Sequence, residues 1–284
     1  MLPFELGRTP SAELNFELYF VTEVLHLRSL HYGYWDEPRA DGGIDLDAMR
    51  AAQTRFTDRL VEQVPPDVKT VLDVGAGIGD NARALARTGR RVTALSPDRN
   101  HARYFAELED PNVAFERTTF EAYSTDERFD LVLFSESHNY FDRRFGLMRA
   151  RELLCPGGHL LVSGMFRNED GRPFPPDFEI GDLPYLRLAG ELGFTPVRIG
   201  DISENVLPTI EMIDRAVTGI LEPTIRFAEA WAAARAPWKT RLFRFLLARE
   251  DDEIQRVLKK LRRKTDPVHF REQFRYATVL FQSR

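Results

Sequence analysis

The stretch VLDVGAGIGD, residues 71–80, sets one carboxylate, Asp73, immediately before three glycines, Gly75, Gly77 and Gly79. Glycine accepts positive φ and lets a ligand lie close to the main chain. A helix that starts at such a turn offers unpaired N–H groups. One candidate reading is the dinucleotide fingerprint G-x-G-x-x-G. Its third glycine would fall at Asp80, whose charge opposes a pyrophosphate. Asp73 points to a ligand that carries an ammonium group. Two further stretches concentrate chemistry. HYGYWDEP, residues 31–38, packs His31, Tyr32, Tyr34 and Trp35 into a loop broken by Gly33 and Pro38. SESHNY, residues 135–140, brings Glu136 and His138, two groups able to take a proton, to the end of an apolar run.

The elements that must position these residues follow from periodicity. Leu14, Leu18, Val21 and Leu25 recur at helical spacing, and a second helix fits 45–64 with Leu46, Met49, Phe56 and Leu60 on one face. From residue 69, strands and helices alternate: strands at 69–74, 90–96, 112–117, 129–137 and 157–166, helices at 79–88, 98–108 and 142–154. Near-continuous apolar strands separated by helices imply a parallel sheet covered on both faces. A helix (184–192), a strand (195–202), a helical run (204–264) and a last strand (274–282) follow. The last strand is expected to add to one edge of the sheet.

Composition narrows the class. The 284 residues carry a formal net charge of −5, which argues against a nucleic-acid binder. Cys155 is the single cysteine, so neither an internal disulfide nor a cysteine zinc site is expected. No His/Asp/Glu cluster has ligand spacing, and no metal is expected. The opening MLPFELGRTP lacks the pattern of a signal peptide, and no apolar run approaches the roughly 18 residues of a membrane span. A cytoplasmic protein without stable membrane insertion is the expectation.

Together, the hydrophobic-hydrophobic-Asp-Val-Gly-x-Gly-x-Gly order, the HYGYW segment, SESHNY and LCPGG (154–158) resemble the class I S-adenosylmethionine-dependent methyltransferases. The likeness is strongest to the small-molecule group that includes tocopherol, sterol, sarcosine and sugar methyltransferases. It implies an α/β, Rossmann-like, doubly wound seven-stranded sheet with an antiparallel last strand, N-terminal helices and a helical cap. The expected layout is N-terminal helices with an aromatic lid (1–66), a cofactor-binding core (67–203), a helical cap (204–266) and a final strand (267–284). S-adenosylmethionine is the implied cofactor and S-adenosylhomocysteine the product. The resemblance places Asp73, Gly75, Ala76, Gly77, Gly79 and Ser135 around that cofactor. It puts Phe120 and Glu121 beside the adenine. At the ribose the family's usual acidic residue is missing: either Ser96 makes the contact or Asp98 reaches back.

Aromatic faces suit a sulfonium, so Tyr32, Tyr34 and Trp35 are read as a lid, with Tyr32 and Trp35 on the cofactor and Tyr34 on the substrate. The alternative is that these rings only pin the N-terminal helix. For the acceptor's proton the candidates are His138, Glu136, which is read first as positioning the cofactor or the loop, and, more weakly, His31; Asn139 is expected to orient the acceptor and Tyr140 to line it. The expected reaction is methyl transfer to oxygen or nitrogen of a small apolar metabolite, such as a natural product, isoprenoid or aromatic compound. Carbon methylation of an isoprenoid or lipid double bond is the alternative. A nicotinamide-dependent oxidoreductase and a catalytically silent binding protein are the readings from other classes. The apolar residues of 174–264 suit a substrate cap, helix stacking or a homodimer face.

Overall fold

The computed structural model describes residues 16–37, 43–168, 171–175, 177–235, 259, 262–263 and 265–284. A short helix α1 (Phe16–Tyr19) runs into one π-helical turn, Phe20–Val24. Helix α2 (Leu46–Glu62) starts where the Asp45 carboxylate accepts the Ala48 N–H at 2.9 Å, which satisfies one of the free donors of the first turn. The core then alternates: β1 (Thr70–Val74), α3 (Asp80–Arg87), β2 (Arg91–Leu95), α4 (Ala102–Ala106), β3 (Val113–Glu116), β4 (Phe129–Ser135), α5 (Arg143–Leu153), β5 (Leu154–Arg167), α6 (Pro184–Glu191) and β6 (Phe194–Asp201). Helices α7 (Ser203–Ala216) and α8 (Glu222–Arg235), joined by a π-helical turn, precede α9 (Pro267–Gln273) and β7 (Phe274–Ser283). The expected helix at 98–108 is shorter, 102–106. Residues 236–258 of the expected helical run lie outside the described residues.

The seven strands form one sheet in the order β3-β2-β1-β4-β5-β7-β6. All pairings up to β5 are parallel, and β7 is antiparallel to both of its neighbours. The expectation that the last strand adds at an edge is therefore corrected: it inserts between β5 and β6, and β6 becomes the edge. The physical reason lies in β7 itself. It buries Tyr276, Ala277, Val279, Leu280 and Phe281 on both faces, as a strand in the covered middle of a sheet does. Strand β6 exposes Val197 and Ile199 instead.

Strand period sorts the side chains. Leu72, Val132, Leu160 and Val279 go to one face, with Phe134, Phe166, Tyr185 and Phe194. Val71, Leu131, Leu133, Leu161 and Leu280 go to the other, under α2 and α3. By the same alternation Asp73, Ser135 and Tyr276 fall on the α2 side. Phe56 of α2 meets the Tyr276 ring there, 5.9 Å between centroids. Phe174, Phe178 and Tyr185, read from the sequence as part of a cap, pack into or against the sheet core. Leu207 and Ile210 of α7 pack with Phe56 and Tyr276, whereas Ile220 and Phe227 are exposed.

Candidate active site

The glycine turn joins β1 to α3 at the carboxyl edge of the sheet. Gly75, Gly77 and Gly79 have φ of 78°, 56° and 84°, in the left-handed region that side chains resist. A Cβ on Gly75 would stand 2.6 Å from the Ser137 Cβ, and one on Gly79 would strike the Phe105 ring at 2.8 Å. Gly75 is exposed and Gly77 half-buried, while Ala76 and Gly79 are buried. Directly before the turn, Asp73 is fully buried, and among the described residues neither carboxylate oxygen has a hydrogen-bond partner. Burial, and then the charge of Asp80, push its carboxyl up to about 8. The Ser135 and Ser137 hydroxyls are buried without partners as well. A buried acceptor is not left unmatched without cost, typically 1–3 kcal/mol, and donors or a positive charge placed here would relieve it.

Three carboxylates and one histidine meet at this place. His31 Nε2 stands 2.6 Å from Asp80 Oδ2 and 3.0 Å from Thr57 Oγ1, with its ring stacked on Phe56. Burial works against the charge on both partners, but their mutual attraction outweighs it: His31 is raised and Asp80 lowered. Glu136 is the third carboxylate. Its φ of 58° is left-handed, a conformation that costs a non-glycine residue on the order of 1–3 kcal/mol. The turn holds because Glu136 N–H donates to Ser163 O at 2.7 Å and Asn139 Nδ2 to Met165 O at 2.8 Å. Glu136 Oε1 accepts the Tyr276 hydroxyl, and the Tyr32 N–H at 3.3 Å. Burial raises its carboxyl against the pull of His31 and these donors.

The aromatic segment is a fixed wall. Trp35 donates its indole N–H to Thr209 Oγ1 at 2.8 Å and its main-chain N–H to Asn205 O at 2.9 Å. The Tyr34 N–H donates to Ala52 O, and Gln53 donates to the carbonyls of Ser29 and His31. Gly33 allows the approach: a Cβ there would be 2.6 Å from that of Ala52. Trp35 is buried among Leu27, Met49, Ala52 and Met212, so its ring pins the loop. Tyr34 packs beside Phe56 under the Arg59 guanidinium, whereas the Tyr32 ring leans on Tyr276.

Other sequence candidates are dispersed. His138 is fully buried, stacked on Phe166 and edge-on to Tyr185. Burial and then the Arg143 charge push it down to about 3, which leaves it neutral and a poor proton acceptor near pH 7. Phe120 is buried in a ring cluster with Phe134, Phe141 and Phe145, and Glu121 is exposed. Tyr140 is 86% exposed, and Asn139 is tied to Met165. The Ser96 hydroxyl is engaged by His101 Nδ1 at 2.8 Å, and Asp98 turns to Asn100. Sequence reading missed Tyr276 and Ser137 and saw Asp80 only as an obstacle to phosphate. Two surface hollows flank the His26–Arg28 turn: one of about 500 Å³ against α2, and one of about 460 Å³ that reaches Ile78 of the glycine turn and Arg83 of α3. Among the described residues no group of three or more His, Cys, Asp or Glu is placed to hold a metal ion, and no helix is long and apolar enough to cross a membrane.

Comparison with known proteins agrees with the fold. Residues 71–158 match the family model of a methyltransferase domain. The methyltransferase GfsG of Streptomyces halstedii is 31% identical over 48% of this chain and 50% of its own length. The ubiquinone biosynthesis O-methyltransferase of Serratia proteamaculans is 36% identical over 35% of this chain and 44% of its own. The chain thus spans about half the length of these curated relatives. Among solved structures, the [4+2]-cyclase SpnF superposes with a TM-score of 0.62 at 19% identity, covering 97% of both chains. The geranyl diphosphate C-methyltransferase of Streptomyces coelicolor A3(2), in complex with Mg2+, geranyl diphosphate and S-adenosyl-L-homocysteine, gives 0.61 at 18%, covering 99% of this chain and 100% of its own. The architecture is the class I methyltransferase fold. The matched segment, residues 71–158, carries β1, the glycine turn and the strands up to the start of β5, the part of the fold that holds Asp73, Asp80 and Glu136 of the cluster described above.

Proposed function

We propose that the protein binds S-adenosylmethionine at the glycine turn and methylates oxygen or nitrogen of a small apolar metabolite. The observation that carries this is Asp73, a fully buried carboxylate without a partner, directly before a turn whose first glycine is bare. An ammonium group matches it: a cation beside Asp73 removes both the missing hydrogen bonds and the penalty on its charge. Gly75 and Gly77 admit the ligand to the main chain, and the Ser135 and Ser137 hydroxyls supply further polar contacts. The bound cofactor would supply an activated methyl group. The chain's own task is then alignment of the acceptor and care of its proton. Of the groups that can take that proton, Glu136 is the better placed, since His138 is sealed inside the core.

The second reading, carbon methylation of an isoprenoid or lipid double bond, draws on the geranyl diphosphate C-methyltransferase neighbour and on the rings of Tyr32 and Tyr276 beside Glu136. The nicotinamide reading loses ground because Asp80, paired with His31, sets a carboxylate where a dinucleotide carries phosphate. The likeness to a cyclase keeps a cofactor-binding protein without methyl transfer as the reading from another class. Calorimetric titration with S-adenosylmethionine, S-adenosylhomocysteine and NAD is the first test. Micromolar binding of the first two and none of NAD is expected, and the reverse pattern removes the proposal. Labelled methyl transfer to phenolic, amine and isoprenyl diphosphate acceptors then separates the remaining readings.

A further inference from the structure

Tyr276 comes from the last strand, 140 residues after Glu136, and no motif marks it. Its ring is fully buried between Phe56, at 5.9 Å, and Tyr32, at 5.7 Å, both edge-on. That packing fixes the direction of its hydroxyl. The hydroxyl donates to Glu136 Oε1, the oxygen that also accepts the Tyr32 N–H. Among the described residues Glu136 Oε2 accepts no hydrogen bond. One oxygen of the carboxylate is thus held by two donors from two elements, and the other is left unengaged. The backbone beneath is held in a strained conformation, and a Cβ at Gly164 would come within 3.4 Å of the Glu136 Cα. Such preorganisation is what a proton acceptor needs and what packing alone does not require.

We propose that Tyr276 is a positioning residue for a general base at Glu136: with the Tyr32 N–H it clamps Oε1, so that Oε2 faces the acceptor and takes its proton. This rests on the methyltransferase reading above and adds the residue that orients its base. In the step, the acceptor's X–H bond breaks, its electron pair stays on X, and the proton forms a new bond to Oε2. Water regains that proton after product leaves. The charged and titratable groups around Glu136 are His31 on the wall, Asp80 on α3, and Tyr276 on β7. His31 favours the carboxylate by its charge, Tyr276 and the Tyr32 N–H favour it by donating to it, and Asp80 opposes it.

The test needs no acceptor. With 13C-labelled glutamate, the Glu136 carboxyl signal is assigned by its loss in Glu136→Gln and followed against pH. In Tyr276→Phe its midpoint is expected to rise by about one pH unit, a tenfold loss of acidity, because the charged form loses a donor. Difluorotyrosine at position 276, a stronger donor of the same shape, is expected to lower it. This second variant decides the matter should Tyr276→Phe fail to fold. S-adenosylhomocysteine affinity, measured by calorimetry, should stay within about threefold in both. An unmoved midpoint in the folded variants overturns the proposal. If the wild-type protein binds no S-adenosylhomocysteine while the midpoints move, the cofactor reading fails and the clamp stands.

Discussion

Asp73→Asn should stabilise the protein at alkaline pH and weaken its affinity for the cofactor. The Asp73 carboxyl has an ordinary value of 3.8 and is pushed up to about 8 by burial and by Asp80. Between those values the folded chain keeps a proton that the unfolded chain has lost. Stability therefore falls as pH rises through that window. At about 1.4 kcal/mol per pH unit the ceiling is roughly 5 kcal/mol by pH 8. Structural relaxation and water entry reduce such buried-charge costs, so a few kcal/mol should survive. Asparagine keeps the shape and never ionises. At pH 8 the variant should melt about 5–10 °C higher than the wild type, and at pH 4.5 nearly level with it. Its affinity for S-adenosylhomocysteine should fall about 30-fold or more, the loss of a charged hydrogen bond of ~2 kcal/mol. Melting curves at both pH values with calorimetry at pH 8 test both arms. A variant no more stable at pH 8, with full affinity, would refute both the burial reasoning and the placement of the ligand.

Gly75→Ala, forced to φ of 78° and 2.6 Å from Ser137 Cβ, should lose about 1–3 kcal/mol of stability and all measurable cofactor binding; retained binding would mean that the turn does not face the ligand. His31→Ala leaves Asp80 buried without its cation and should cost about 3–5 kcal/mol near pH 7 by denaturant unfolding. In the wild type the pair's contribution should fade as pH rises past the raised His31 value and again as pH falls past the lowered Asp80 value, so a flat profile would remove the pairing. His138→Phe preserves the stacking on Phe166 and should leave turnover of any acceptor found by screening within about threefold, whereas a hundredfold loss would restore His138 as the base.

Local pattern was enough to read much of this protein. Apolar runs of strand length, the three glycines and the capping residues depend on short-range sterics and hydrogen bonding, so β1, its glycine turn, α3 and the parallel half of the sheet were legible in order. Asp73 and Glu136 stood out as candidates too, because each falls near the end of an apolar strand run, where the chain turns. What a charge meets across the fold is another matter. His31 and Asp80 lie 49 positions apart, and Glu136 and Tyr276 lie 140 apart. Whether His138 points to a ligand or into the core depends on Gly164 of β5 and Phe166 beside it. The last strand settled the rest: by entering between β5 and β6 it carried Tyr276 to the site. Periodicity records which side of an element is apolar; only the crossing of distant segments decides which polar groups share one buried, low-dielectric space.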